Sequence, residues 1–520
     1  MMKPIFRVLL ALSITALLGG FTPGASASAG DDLPGNIVGM YIHQHWPYNH
    51  PYAARTWTVD DYRGYCGDLH KLGYNAVMIW PVLETMPDPP TASDLASLRK
   101  IAAVVDMLHG EFGMRSYIAL CPNVAPKNAE AAKAPFERRH FFETDRRVNP
   151  ADRADVAAMM RQRTTLLGFL RKADGVVIID SDPGGYPGST NAEFVDLMLE
   201  HRQLLDRLRP GIELVYWMHV GWPAYGRWYQ SGKFNWGTEA EGVEALTLLK
   251  QRNPKPWGIA NGLKYAEKCG LAGKVISYNY GAIEGEPSMP MTRFDTAGAY
   301  AAGRNRGPRG VMGNAQTHCV QLPNTFAFAR GATGKPLARA DLVAFAEQLI
   351  PGQGELIVAA WEHVESTDAS ASRALADRLE QLSRSSLQPG VFNGLLFGDP
   401  QRFLVDLATM LRLRAALEDF VSATGTGSAL KPQLRSFTTA LEAWHARTGY
   451  ENVFGLPRLG EALGRLESPA VNRVMGLDQL NPVKLDGATP FEKVANGLRR
   501  GESFTPDLIR ALNETLSRMK

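Results

Sequence analysis

The sequence has few cysteines, and they lie far apart. Four occur in 520 residues, at Cys66, Cys121, Cys269 and Cys319, and no C-x-x-C pair is present. This spacing excludes the usual thiolate motifs for zinc or redox chemistry. The four residues allow three complete disulfide pairings. A chain of this length does not need disulfides, however, so we expect mostly buried free thiols.

The chain also lacks a strong excess of charge of either sign. Lys and Arg number 56 and Asp and Glu number 53, so the formal net charge is +3. Binding to nucleic acid depends on a basic surface that meets the phosphates, and this balance argues against such a partner. With 45% hydrophobic and 21% charged residues, the chain has the composition of a folded globular protein.

No apolar run reaches the roughly 20 residues that a membrane helix needs. An apolar stretch of eleven residues near the start, Val8–Leu18, follows Lys3 and Arg7 and precedes the small residues Ala25–Ala29. This order of segments is typical of an export signal. We therefore predict that residues 1–29 are a removed signal peptide and that the mature protein is periplasmic or secreted, with no membrane partner.

Residues 36–330 alternate between short apolar runs and longer amphipathic segments, which is typical of a parallel sheet built from β-α repeats. Eight strands with intervening helices predict a (β/α)8 TIM barrel over residues 30–335, and an open parallel sheet is the alternative. The candidate strands are Ile37–Ile42, Ala76–Trp80, Arg115–Leu120, Val176–Asp180, Glu213–Met218, Pro256–Ala260, Lys274–Tyr278 and Gly310–Gly313.

Capping signals support the helices between these strands. A hydroxyl residue followed three positions later by an acidic residue is the signature of a capping box. Asn149 before Pro150 predicts a further helix start, since proline suits the first helical position. The capping boxes are Thr58 with Asp61, Thr91 with Asp94, and Thr190 with Glu193.

The pattern changes after Pro336, where apolar residues keep helical spacing and no convincing strand intervenes. We predict a helical C-terminal domain over residues 336–520 that packs on the barrel. Its candidate helices include Asp341–Ile350, Ser370–Ser383, Phe403–Phe420 and Leu434–Arg447.

Active sites of (β/α)8 enzymes are formed by the loops after the C-terminal ends of the strands. Polar and aromatic residues at those positions are therefore candidate substrate-binding residues. Glu84 also lies in the loop after the second strand, four residues after Trp80. Flat aromatic rings suit the C–H faces of sugars, although some of these rings are expected simply to pack within loops. The candidates are His43, His45, Trp46, Trp80, Asn123, His219, Trp222, Tyr280, Asn314 and His318.

The end of the fourth strand carries the clearest catalytic candidates, Asp180 and Asp182. Residues two apart on a strand share a face, with Cα atoms about 6 to 7 Å apart. Two carboxyl groups held close together separate their pKa values, so one can donate a proton while the other stays ionised. Glycosidic cleavage needs this division of roles. The alternative is that Asp180 faces a helix and Asp182 only begins a turn.

Two further carboxylates, Glu284 and Glu286, lie in the loop after the seventh strand. Either could supply the second acidic group if Asp180 is structural. Their loop is bounded by Gly281 and Pro287, so they are equally well explained as solvated charges.

A metal site is a weaker alternative. His43, His45 and His219 follow strands one and five, as metal ligands do in amidohydrolase barrels. That pattern also needs a His after strand six and an Asp after strand eight, where this sequence has Asn261 and Asn314. We expect no metal and no cofactor.

The Asp180-Ser181-Asp182 strand end, the early His43 and the aromatic rim resemble the retaining (β/α)8 glycoside hydrolases of the hexosaminidase type, families 20 and 84. The turn Asp182–Gly185 and the helical C-terminal domain are loosely similar to the α-glucuronidases of family 67. The hexosaminidase resemblance implies that Asp182 is the general acid and that Asp180 orients the substrate's own nucleophile.

These observations predict an exported glycoside hydrolase that cleaves a glycosidic bond in an oligosaccharide or polysaccharide. Two alternatives remain open at this point. One is a noncatalytic carbohydrate-binding barrel protein, and the other is a metal-dependent barrel hydrolase.

Overall fold

The computed structural model describes ten parts of the chain, with residues 1–32 outside them. These parts are residues 33–44, 49–179, 190–217, 239–279, 295–315, 321–426, 430–449, 456, 458–475 and 505–519. The following description concerns these residues only.

Eight parallel strands form a closed barrel in which each strand pairs with the next along the chain and the last pairs with the first. Closure is made by the register from Ile37 opposite Gly310 to Ile42 opposite Ala315. The predicted TIM barrel is therefore confirmed, and the open-sheet alternative is wrong. The strands are β1 Ile37–His43, β2 Ala76–Trp80, β3 Arg115–Leu120, β4 Gly175–Ile179, β5 Glu213–Trp217, β6 Trp257–Ala260, β7 Val275–Asn279 and β8 Gly310–Ala315.

Helices cover the outside of the barrel strands. All three predicted capping boxes are present: each hydroxyl accepts the backbone N–H three residues on, and each carboxylate accepts the N–H of the capping residue. These helices are α1 Val59–Leu72, α2 Ala92–Phe112, α3 Arg153–Phe169, α4 Asn191–Leu208, α5 Glu239–Arg252, α6 Leu263–Lys268, α7 Thr296–Arg304 and α8 Leu322–Ala332.

The predicted helix start at Asn149 and Pro150 is wrong. The carboxylate of Asp152 accepts the N–H groups of Ala154 and Asp155, so α3 begins at Arg153. The Asn149 side chain instead accepts the N–H of Ala151 at 3.0 Å, and this local turn uses the capping group one turn too early for the helix.

Shorter elements occur between the main ones. Val124–Pro126 and Asp145–Arg147 form a small antiparallel sheet. The single-turn and 3-10 segments are Ala54–Thr56, Leu83–Thr85, Asn128–Ala131, Phe136–Arg138, Phe141–Thr144, Ala272–Lys274 and Asn393–Leu396.

The regular elements among the described residues after α8 are all helices, as the apolar spacing predicts. Their buried side chains belong to the same hydrophobic core as the barrel, so the boundary at residue 335 stays a prediction. The helices are α9 Arg339–Leu349, α10 Gly354–His363, α11 Ala369–Ser383, α12 Pro400–Thr426, α13 Leu430–Thr448, α14 Leu459–Gly464 and α15 Pro469–Met475, with a further helix over residues 505–518.

An ion pair fills the N-terminal end of the barrel. Arg309 donates to both carboxylate oxygens of Glu213, at 2.6 and 3.0 Å, and both side chains are buried. Arg309 also donates to the carbonyl of Pro34 at 3.0 Å. Gly258 leaves room for the pair, because a Cβ there would collide with both charged groups.

Within the described part of the chain, no helix has the length and apolar character of a membrane span. Cys66 and Cys121 are buried free thiols, and Cys269 is a partly buried one. Cys319 lies outside the described residues.

Candidate active site

The C-terminal end of the barrel is filled by aromatic rings. Tyr41, Trp217 and Tyr278 come from β1, β5 and β7, and the rings of Trp217 and Tyr278 lie 3.9 Å apart between centroids. Tyr41 contacts both, at 5.5 and 5.6 Å. Because β1 and β5 are on opposite sides of an eight-strand barrel, the contact between Tyr41 and Trp217 crosses its interior.

His43 and Trp80 extend this layer towards β1 and β2. The imidazole of His43 lies 4.0 Å from the ring of Tyr41 and 5.6 Å from the ring of Trp80. His43, Trp80 and Trp217 are the last residues of their strands. We call the five residues Tyr41, His43, Trp80, Trp217 and Tyr278 the aromatic layer.

His43 is a neutral group at physiological pH. Burial lowers the pKa of its imidazole to about 3, and the neighbouring side chain of Asn314 opposes the shift only in part. A neutral imidazole offers one donor and one acceptor nitrogen. His43 is therefore not a source of positive charge or of a proton at neutral pH.

The carboxyl group of Glu84 stabilises the aromatic layer on its β2 side by hydrogen bonds. The indole N–H of Trp80 donates to this carboxyl group at 3.2 Å, and the backbone N–H of Cys121 at the end of β3 donates to the same group. Glu84 is only 2% exposed. Burial raises the pKa of its carboxyl group, although the Cys121 N–H and the charge of Arg163 act in the opposite direction.

The turn that carries Glu84 has a strained backbone. Val82 has φ of 45°, in the left-handed region that β-branched residues rarely adopt. Val82 is fully buried, and this conformation leads directly into the 3-10 turn Leu83–Thr85. Strain of this kind persists only where the surroundings hold it, and it is concentrated at functional sites.

Arg163 forms hydrogen bonds to the backbone of the segment that follows β3. From α3 its guanidinium donates to the carbonyl groups of Pro122 at 2.6 Å and Val124 at 2.9 Å, and also to that of Cys121. It donates further to Nε2 of His201, whose Nδ1 donates to a carbonyl of its own helix. Burial lowers the pKa of Arg163 to about 10, and burial together with Arg163 lowers that of His201 to about 3.

Two more buried arginines secure the neighbouring loops. Arg55 donates to the carbonyl of Gln44, directly after β1, and to that of Phe136 at 2.8 Å. Arg139 donates to Asp94 at 2.6 Å and to the carbonyl of Thr85 at 2.8 Å. Buried charged groups thus bind the backbone at Gln44 after β1, at Thr85 after β2 and at residues 121–124 after β3.

Four of the predicted substrate-binding residues lie among the described ones. The structure brings His43, Trp80 and Asn314 together at the barrel end. Asn123 has a different environment: its side-chain amide donates to the carbonyl of Val148 at 3.1 Å, which ties the loop after β3 to the chain near Val148. A role for Asn123 in binding substrate stays a prediction.

The remaining predicted residues fall outside the described residues. They include all four predicted catalytic carboxylates, and they are Asp180, Asp182, Glu284, Glu286, His45, Trp46, His219, Trp222, Tyr280 and His318. Their strands are nevertheless described. The chain leaves β4 at Ile179, which pairs with Trp217 of the aromatic layer, and Asp180 is the next residue.

The sequence interpretation missed Tyr41, Trp217 and Tyr278 as members of the site, and it gave Glu84 no role. Tyr41 had a detectable signal, since it lies two residues before His43 and so shares its face of β1. Arg163 and His201 had none, because they belong to helices and reach the site only through the tertiary fold.

No group of three or more His, Cys, Asp and Glu side chains suited to a metal occurs among the described residues. Of the three histidines in the metal alternative, only His43 is described. His45 and His219 lie outside the described residues, so the metal-dependent alternative stays a hypothesis.

The chain matches no protein-family profile and no curated protein. Among solved structures it is similar to a glycoside hydrolase family 138 enzyme targeting pectin rhamnogalacturonan II, with 8% identity, a TM-score of 0.45, and coverage of 80% of this chain and 62% of that one. It is also similar to a family 89 glycoside hydrolase from Clostridium perfringens, with 11% identity, a TM-score of 0.42, and coverage of 92% and 64%.

A third similar structure is a family 20 β-N-acetylglucosaminidase, with 11% identity, a TM-score of 0.36, and coverage of 57% of this chain and 69% of that one. This chain thus spans less than two thirds of the family 138 and family 89 enzymes. The similarities are too weak to assign an activity, and membership of family 20, 84 or 67 stays a prediction.

Proposed function

We propose that the protein is an exported glycoside hydrolase that acts on an oligosaccharide or polysaccharide at the C-terminal end of its barrel. The observation that carries the proposal is the aromatic layer, with the neutral polar groups of His43 and Asn314 beside it. The layer is buried, with each of its side chains at most 6% exposed. It is taken as the floor of the sugar site, because apolar rings bordered by neutral hydrogen-bonding groups match the two kinds of surface that a sugar ring presents.

The carboxylates required for hydrolysis are assigned to Asp180 and Asp182. Asp180 is the next residue in the sequence after Ile179, the last residue of β4, and Ile179 pairs with Trp217 at the end of β5. Asp182 would protonate the leaving oxygen, and Asp180 would orient or stabilise the group that attacks the anomeric carbon. Glu284 and Glu286, in the loop after β7, are the alternative source of one carboxylate.

The secreted form of the full chain should release aryl alcohol from at least one member of a panel of aryl glycosides. We expect Asp182→Asn to lower kcat by at least about 100-fold, since general acid catalysis typically contributes 10²- to 10⁴-fold. Asp106→Asn is a matched control, because Asp106 is an exposed residue of α2 that pairs with Lys172.

Full activity in the Asp182→Asn variant would remove that residue from the mechanism. Sugar binding measured by calorimetry, without product on any glycoside, would instead identify a carbohydrate-binding protein. Activity that a chelator abolishes and zinc restores would favour the metal-dependent alternative.

A further inference from the structure

The chain after β1 is held at its start by the barrel. The backbone N–H of Gln44 donates to the carbonyl of Trp80 at 3.1 Å. The Gln44 side chain donates to the hydroxyl of Tyr62 at 2.8 Å and to the carbonyl of Ala54 at 3.4 Å. Gln44 therefore joins the ends of β1 and β2, where His43 and Trp80 lie, to the segment 49–57.

The helical C-terminal region holds the same segment from the other side. The side chain of Asn49 donates to the carbonyl of Ala446 at 3.1 Å, and its backbone N–H donates to the carbonyl of Thr448 at 3.0 Å. The ring of Trp57 packs on Phe397 at 4.8 Å between centroids. Segment 49–57 thus lies between the barrel mouth and the helices α12 and α13.

A buried carboxylate, Asp406 of α12, is the centre of this contact. It accepts the hydroxyl of Tyr52 at 3.0 Å and Nε of Arg447, and Nε of Arg402 lies 3.5 Å away. Its side chain is fully buried. Tyr52 is also buried, with its ring 6.0 Å from that of Trp444. Tyr52 therefore lies against the helical region.

A series of hydrogen bonds, joined by the backbone from Tyr52 to Ala54, thus runs from α12 to the aromatic layer. Asp406 binds Tyr52, two residues before Ala54; Ala54 accepts from Gln44; and Gln44 binds the end of β2 at Trp80. Each link is made by a buried group, so a displacement at one end is transmitted rather than absorbed by solvent.

We propose that Asp406 and Tyr52 are positioning residues for the sugar site, so that the C-terminal helices set the geometry of the aromatic layer at β1 and β2. This inference rests on the proposed function for its effect on turnover. Its structural part is independent of that function, because the coupling between α12 and Gln44 exists whatever the ligand is.

Hydrogen–deuterium exchange on the full chain tests the structural part. Tyr52→Phe keeps the ring but removes the hydroxyl that binds Asp406. The control is Tyr74→Phe, which removes an equally buried hydroxyl that donates to the carbonyl of Thr325 at 2.9 Å. We expect amides in residues 37–57 to exchange about tenfold faster in Tyr52→Phe than in the control, the effect of losing one hydrogen bond to a charged partner.

Steady-state kinetics tests the functional part. We expect Tyr52→Phe to lower kcat/KM on the best aryl glycoside by about tenfold while Tyr74→Phe leaves it within about twofold. Asp406→Asn keeps an acceptor for Tyr52 and should retain more activity than Asp406→Leu.

The outcomes separate the two proposals. Equal exchange in the two tyrosine variants would overturn the positioning role, whatever the activity. If no glycoside is hydrolysed but exchange differs as expected, the proposed function fails and the coupling between α12 and Gln44 stands. Where the wild type hydrolyses a glycoside, equal activity in Asp406→Asn and Asp406→Leu would also overturn the assignment of Asp406.

Discussion

The indole N–H of Trp80 donates to the carboxyl group of Glu84, four residues later, at 3.2 Å. The same carboxyl group accepts the N–H of Cys121, the residue directly after the neighbouring strand β3. One buried side chain therefore fixes both a ring of the aromatic layer and the start of the next loop. Its place in the loop after β2 depends on the left-handed backbone of Val82.

Replacing Glu84 by glutamine should destabilise the protein. One carboxyl oxygen becomes an NH2 group that cannot accept an N–H, so a buried donor loses its partner at a cost of about 1–3 kcal/mol. Urea unfolding measures the difference. The control Glu111→Gln alters an exposed residue of α2 and should change stability by less than about 0.5 kcal/mol. Equal effects in the two variants would contradict the role of Glu84.

Replacing Arg163 by lysine should lower the stability of the protein. Its single ammonium group cannot reproduce the planar fork that binds the carbonyls of Cys121, Pro122 and Val124 together. We expect Arg163→Lys to lower the free energy of unfolding by about 3 kcal/mol, as is typical when a buried charged network is broken. Arg153→Lys on the same helix is the control, because Arg153 is exposed and pairs only with Glu200 among the described residues. A tolerated Arg163→Lys would show that charge alone suffices.

Two buried histidines should make the protein less stable in acid. The pKa values of His43 and His201 fall from 6.5 to about 3 on folding, so between these values the unfolded chain binds protons that the folded protein does not. Stability should therefore fall as pH drops below about 6.5, by up to about 1.4 kcal/mol per pH unit for each histidine.

The comparison of wild type with His201→Gln isolates one histidine. Burial raises the pKa values of Glu84 and Asp406, and these carboxyls act in the opposite direction, but their contributions are common to both proteins. Unfolding free energies measured at pH 7.5 and pH 5 should converge between wild type and variant as the pH falls. A constant difference would mean that His201 is not excluded from protonation in the folded state.

Gly258 should not tolerate a side chain. A Cβ there would meet the guanidinium of Arg309 and the carboxylate of Glu213, and separating this buried pair should cost about 3 kcal/mol or more. Gly110→Ala is the control, since Gly110 lies in α2 with no atom within 4 Å of the added carbon. That change should stabilise the helix by about 0.5–1 kcal/mol. Thermal unfolding of both variants tests the contrast.

The fold was predictable because the barrel strands are buried on both faces. Their apolar runs stand out from the sequence, and Ala76–Trp80 and Arg115–Leu120 have the same bounds in the structure as in the prediction. The helix starts were predictable where a hydroxyl and a carboxylate keep the capping spacing. At Asn149 the same reasoning failed, because the side chain had a closer N–H to bind.

The site was only partly predictable for the same physical reason. In a strand that is buried on both faces, the apolar pattern does not distinguish residues that point into the barrel from those that point towards the helices. Trp217 and Tyr278 could therefore not be assigned to the interior. Glu84 and Arg163 interact electrostatically only because the tertiary structure brings them near each other. No spacing in the sequence connects them.

The pair formed by Glu213 and Arg309 also limits how a molecule can reach the aromatic layer. It occupies the end of the barrel opposite to that layer, and side chains fill the space between. A ligand of the proposed site must therefore approach the rings from the C-terminal ends of the strands.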